Sequence, residues 1–204
     1  RQFISEYRPW RGSKRRSRAF FQLEGVRAVL VYLAMIEGPE ERSKFEQIYE
    51  KYRALMFYRA KQILRDDRDA EDAVHEAFVR VANHIEKISD PECPKTRALV
   101  VIIVERISIN EYNRKKRRGS LPLMEELLPG EDRMEALEEG SAVARAMAAL
   151  PPRYRELILL KHWQGYSDRE IAALLGMAQG NVARTLQRAK EKLRQALKDE
   201  GVEV

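Results

Sequence analysis

The sequence predicts an all-α protein: two small helical domains joined by an acidic linker. Three observations predict it. Apolar residues recur at helical spacing through most of the chain from Lys44 to Leu197. The one run with strand propensity, Leu99–Val104 (LVVIIV), has no partner strand elsewhere, and a lone strand leaves its backbone groups unpaired. The stretch Tyr166–Leu197 carries the start, stop and packing signals of a helix-turn-helix.

Bulk properties narrow the function. The chain has 204 residues and a net charge of +6, and the charge is unevenly placed. Residues 1–34 hold eight Lys/Arg against two Asp/Glu, which leaves 30 against 30 in Met35–Val204. Arg106–Arg118 and Gln179–Lys198 each carry six basic residues and one acid, whereas Leu121–Gly140 carries seven acids and one base. Two basic patches flanking an acidic spacer suit a protein that touches nucleic acid twice. Cys93 is the only cysteine, which fits the cytoplasm, and His75, His84 and His162 share no ligand spacing, so no metal or cofactor is expected. The apolar stretches Ala28–Ile36 and Ala98–Val104 fall far short of the ~20 residues a membrane helix needs, so no membrane insertion is expected.

Taken in order, residues 1–34 begin with a polar, basic segment (RPWRGSKRRSR) followed by a short apolar run. They read as a basic extension outside the fold, dispensable to it. Residues 35–118 form the first domain. Phe45, Ile48, Tyr49, Tyr52, Leu55, Met56, Ile63 and Leu64 make one helical stripe from Lys44. After the polar break RDDRD, with Asp69 as expected cap, Ala70, Ala73, Val74, Ala77, Phe78, Val81, Ile85 and Ile88 make a second. Glu71, Asp72, His75, Glu76 and Arg80 stay off that stripe and face outward. Ser89–Pro94 is a loop, and a buried helix runs through Leu99–Val104 to Arg118.

Residues 119–140 read as the acidic linker, with one or two helical turns at most. Residues 141–204 form the second domain. Ser141–Leu150 is a small alanine-rich helix, and Pro151–Pro152 open another that ends before Gly165. Ser167 and Glu170 make a capping box, Gly176 ends that helix in the left-handed conformation, and a last helix starts at about Gly180. Its stripe Val182, Leu186, Ala189 and Leu193, continued at Leu197, points inward, so Asn181, Arg184, Arg188 and Glu191 lie on the opposite face. Asparagine suits adenine and arginine suits guanine by paired hydrogen bonds, so Asn181 and Arg184 are assigned to bases. Arg188 is assigned to base or phosphate and Lys192 to phosphate, with Thr185 a further DNA-facing candidate.

DAEDAVHEAFVRVANHI, followed by a hydrophobic helix ending NEYNRKKRR, resembles region two of the bacterial sigma-70 family of initiation factors. ALPPRYRELILLKHWQGYSDREIAALLGMAQGNVARTLQRAKEKL resembles region four. With only a short linker between them, the layout is similar to the extracytoplasmic-function class. The resemblance implies a factor that binds core RNA polymerase, recognises and opens promoters, and has no catalytic site. It implies that Asp72 and Glu76, with His75 and Arg80 beside them, meet the clamp helices of the β′ subunit, and that region four meets the β flap. Asn83 and the helix ending in Arg114, Lys115, Lys116, Arg117 and Arg118 would hold the opened minus-ten strand. The helix-turn-helix would read the minus-thirty-five element, and an anti-sigma factor is an implied partner. The family's capping Ser is Ala178 here, which weakens that cap by about 1 kcal/mol unless Gln179 or Asn181 compensates. The frequent Lys-Ser-Arg after Val182 is replaced by Ala183, Arg184 and Thr185. Asn110 and Asn113 also depart from the family pattern.

Two other classes make different demands on the same sequence. A dimeric helix-turn-helix repressor would use residues 45–118 for dimerisation or ligand binding. A nucleic-acid enzyme would need a carboxylate cluster in a rigid pocket, and none is evident in the sequence.

Overall fold

Residues 29–118 and 141–202 are described by this computed structural model, and every regular element among them is helical. Helix α1 is the short segment 29–33. Helix α2, Pro39–Leu64, has Pro39 and the acids Glu40 and Glu41 in its first turn, a favourable start that places its origin upstream of the expected Lys44. It buries Phe45, Ile48, Tyr52, Met56, Ala60, Ile63 and Leu64 and stops at Arg65 in the left-handed conformation (φ 59°). Helix α3, Asp67–Ala82, is capped by Asp66, whose side chain accepts the Asp69 N–H at 2.9 Å. Asp69 is therefore not the cap: of the neighbouring aspartates, only Asp66 has the extended backbone a cap requires. Nor does α3 run on to Ile88. It ends at Ala82, and a 3-10 turn, Ile85–Lys87, brings Ile85 and Ile88 into the core, because i and i+3 share a side in either geometry.

Helix α4, Pro94–Arg117, contains the β-branched run, and Leu99 through Val104 are all buried. Helices α2, α3 and α4 pack together around it. The loop before α4 is tied down by Tyr52, whose hydroxyl donates to the Pro91 carbonyl at 2.6 Å, and by Thr96, which donates to the Asp90 carbonyl at 2.8 Å.

The expected boundary at residue 35 is corrected. Tyr32 and Ile36 are 2% and 3% exposed, and the Tyr32 ring lies 5.4 Å from Phe45, 5.9 Å from Phe78 and 5.1 Å from the His75 ring. Its hydroxyl is hydrogen-bonded to His75 Nδ1. Residues 29–34 thus belong to the first domain; in the sequence they are masked by the basic segment before them. The basic segment itself, in residues 1–28, and the acidic linker, residues 119–140, lie outside the described residues.

In the second domain, Ser141 caps α5 (Ala142–Ala149) and Pro152 opens α6 (Pro152–Ile158), which continues as a π-helical turn to Trp163. The capping box of Ser167 and Glu170 is complete at the start of α7 (Asp168–Leu175), and Gly176 ends it at φ 63°. Helix α8 is Gln179–Asp199. Val182, Leu186 and Ala189 of α8 close over Ile171, Leu174 and Leu175 of α7 and Leu157 and Leu160 before it.

Removing the Tyr32 ring leaves a cavity among three aromatic side chains. Tyr32→Ala is expected to lower stability by about 2–4 kcal/mol, read by urea denaturation. A chain that starts at residue 29 keeps the parental midpoint, and one that starts at Met35 shifts as Tyr32→Ala does.

Candidate nucleic-acid interface

The buried stripe of α8 sets the opposite face outward. Asn181, Arg184, Arg188 and Lys192 are all exposed, and Thr185 is half-buried at the edge. Arg184 leans back over the first turn, its Nη2 donating to Asn181 Oδ1 at 3.4 Å and its Nε to the Gly180 carbonyl at 3.3 Å. Thr185 donates its hydroxyl to the Asn181 carbonyl at 2.6 Å, which leaves a methyl group and a lone pair free for a ligand. Ala178 is the cap residue, and there is no side-chain cap hydrogen bond. A Cβ at Gly180 would meet nothing within 4 Å, so no packing inside the chain requires glycine there.

The second basic patch ends α4. Arg114, Arg117 and Arg118 are exposed and Lys115 and Lys116 half-buried. Acids already engage two of the five: Arg114 is bonded twice to Glu111 (2.7 and 2.8 Å), and Lys115 is paired with Asp69 of α3. The Arg114 pairing holds the Glu111 carboxyl below its ordinary range. Asn83 is exposed at the C-terminal end of α3.

The α3 face lies beside this patch. Asp72, His75 and Glu76 are exposed. A cleft of about 360 Å³ between α3 and α4 is lined by Asp69, Asp72, Glu76, Arg80, Asn110, Arg114 and Lys115, so both groups of candidate residues border one space. Arg80 does not face outward freely, as the helical spacing suggested. It pairs with Glu76, and its Nη1 donates to the Leu174 carbonyl of α7 at 2.7 Å. The carbonyls at the end of α7 lack helical partners and attract a cation.

That contact is one of several across the domains. Asn110 Nδ2 donates to the Leu175 carbonyl at 3.5 Å, and Lys95 Nζ to the Trp163 carbonyl at 2.8 Å. Lys87 pairs with Glu170 at 2.5 Å, and Arg106 pairs with the buried Glu156. None of these five was marked in the sequence, because each joins positions 50 or more residues apart with no shared period. Burial lowers the pKa of His84, which lies edge-on to Tyr166, and pushes the Tyr166 hydroxyl up to about 12.

A helical unit with a basic rim, joined to a helix-turn-helix whose basic face is exposed, defines a two-domain DNA-binding protein. Comparison with known proteins gives the particular family. Residues 48–118 match the family model "Sigma-70 region 2" and residues 141–193 match "Sigma-70, region 4". The RNA polymerase sigma-E factor of Streptomyces antibioticus is 31% identical over 160 residues, covering 76% of this chain and 84% of that one. The ECF RNA polymerase sigma factor SigL of Mycobacterium tuberculosis is 28% identical over 166 residues, covering 79% and 93%. Among solved structures, CnrH in complex with the cytosolic domain of CnrY matches at 23% identity and a TM-score of 0.34, covering 84% of this chain and 97% of that one. The chain belongs to the sigma-70 family, in its extracytoplasmic-function class, and is thus a sigma factor that binds core RNA polymerase and directs promoter recognition.

The Glu170 carboxyl is pulled down to about 2, first by Lys87, then by the Ser167 hydroxyl and backbone N–H. Its folded pKa lies below the ordinary 4.5, so its contribution is complete above that value and lost as pH falls toward 2. Glu170→Gln is therefore expected to flatten the acid limb of stability between about pH 4.5 and about pH 2, measured by denaturation at stepped pH.

Proposed function

We propose that α8 reads the minus-thirty-five element, with Asn181 and Arg184 on base edges, Arg188 on base or phosphate, Lys192 on phosphate, and Thr185 at the edge of the contact. The observation that carries this is the exposure of the four polar side chains, turned away from the buried Val182, Leu186 and Ala189. In the same reading, Asn83 and Arg114–Arg118 hold the opened minus-ten strand, and Asp72, His75, Glu76 and Arg80 dock on the clamp helices of polymerase. Region four meets the β flap, and an anti-sigma factor controls the whole. The protein acts in the cytoplasm as a binding factor and not as an enzyme, with residues 29–118 and the helix-turn-helix domain from residue 141 as its two working units. The dimeric-repressor reading is not favoured, since residues 48–118 match the sigma region 2 family.

The two promoter elements lie about 25 base pairs apart, or roughly 85 Å along the duplex at ~3.4 Å per pair. A chain whose domains touch cannot reach both, so promoter binding requires α7 to leave Arg80 and Asn110.

Arg184→Ala is expected to cost about 1–3 kcal/mol and relax preference at one upstream position, whereas Lys192→Ala weakens all sequences alike and flattens the salt slope. A binding selection over randomised upstream elements reads both. If Arg184→Ala keeps the parental preference, base reading by this face is wrong.

Neutralising Lys115 and Lys116 is expected to reduce open-complex formation on promoter DNA more than core binding. Equal losses in the two assays would place these lysines in the fold instead.

A further inference from the structure

The N-terminal segment carries an unusual surface. Tyr32 and Ile36 are anchored inward, and that orientation forces Leu30, Val31 and Met35 into solvent at 62%, 57% and 42% exposure. These are three of the five large apolar side chains most exposed among the described residues, gathered within six positions. Scattered exposed apolar residues are ordinary; a cluster marks a surface that another molecule covers.

Its position suggests which molecule. Tyr32 joins the segment to α3 through the hydrogen bond to His75, which stands between Asp72 and Glu76. A stable protein interface buries about 800 Å² on each partner and has an apolar centre within a charged rim. The α3 face alone offers Asp72, His75, Glu76 and Arg80: rim chemistry with no centre. Leu30, Val31 and Met35, all within three positions of Tyr32, supply what is missing.

We propose that Leu30, Val31 and Met35 form the apolar centre of the surface by which this chain docks on core RNA polymerase, with Asp72 and Glu76 as its acidic rim. The proposal rests on the reading of α3 as the polymerase-docking face. The complementary surface would present apolar side chains flanked by basic ones. Tyr32 is a positioning residue, holding the patch at the edge of α3.

The test uses the full chain and purified core polymerase, with affinity measured by competition against a fluorescent parent. Leu30→Ser/Val31→Ser is expected to weaken core binding about tenfold or more, the loss expected for central contacts. Met35→Gln weakens it less. Thermal midpoint and binding to a minus-thirty-five duplex remain parental, because all three side chains are exposed. Asp72→Lys/Glu76→Lys runs alongside. If only the acid reversal weakens binding, the apolar centre is refuted and the α3 reading stands. Parental affinity in both double variants refutes both. Weakening by the serine variant alone refutes the α3 reading and leaves the apolar surface. A fall in thermal midpoint for the serine variant, or a parent dimer in sedimentation that it converts to monomer, overturns the proposal in favour of internal packing or a second copy.

Discussion

Complete burial of the middle of α4 is the constraint on which the rest of the structure depends. Leu99 through Val104 are at most 2% exposed, so this helix is apolar on every side and must be covered on every side. β-branched residues cost up to about 0.7 kcal/mol each in a helix relative to alanine. Burying each yields about 1.5–3 kcal/mol, so packing outweighs propensity and the run is helical. Helices α2 and α3 cover part of that surface, and α6 and α7 come against α4 farther along, at Arg106 and Asn110. The segment around Tyr32 packs over the rings of Phe45 and Phe78.

The contacts between the domains are both apolar and polar: buried residues of the two belong to one core cluster, and His84 lies edge-on to Tyr166. The polar contacts are charges and amides placed on carbonyl groups, together with the ion pairs Arg106–Glu156 and Lys87–Glu170. A buried ion pair adds little net stability, since desolvation offsets much of the attraction, but it makes a mismatched partner costly.

Arg80 shows how docking and function meet. It lies one turn beyond Glu76 and pairs with it while also serving the end of α7. Any partner that takes Glu76 and Arg80 competes with α7 for the same guanidinium. The basic end of α4 is similarly engaged, with Lys115 on Asp69 and Arg114 on Glu111. Phosphate binding there must displace carboxylates, which adds a cost beyond the release of counterions.

Local physics made much of this protein legible in the sequence. The capping box at Ser167, the left-handed stop at Gly176 and the inward stripe of α8 rest on residues within a few positions of one another, and all three are present in the structure. The outward set Asn181, Arg184, Arg188 and Glu191 follows from that stripe by helix geometry alone. Boundaries were less legible: three aspartates compete to cap α3, and the spacing of Val81, Ile85 and Ile88 fits a helix or a 3-10 turn equally well. The place of Tyr32 required tertiary structure, because its partners Phe45, His75 and Phe78 come from two other helices. The same is true of Arg80 on Leu174, where the acceptor is a backbone carbonyl that any residue type would present. A sequence encodes contacts between neighbours through period and residue type; a contact with a distant main chain leaves no such signature, and only the packed fold decides it.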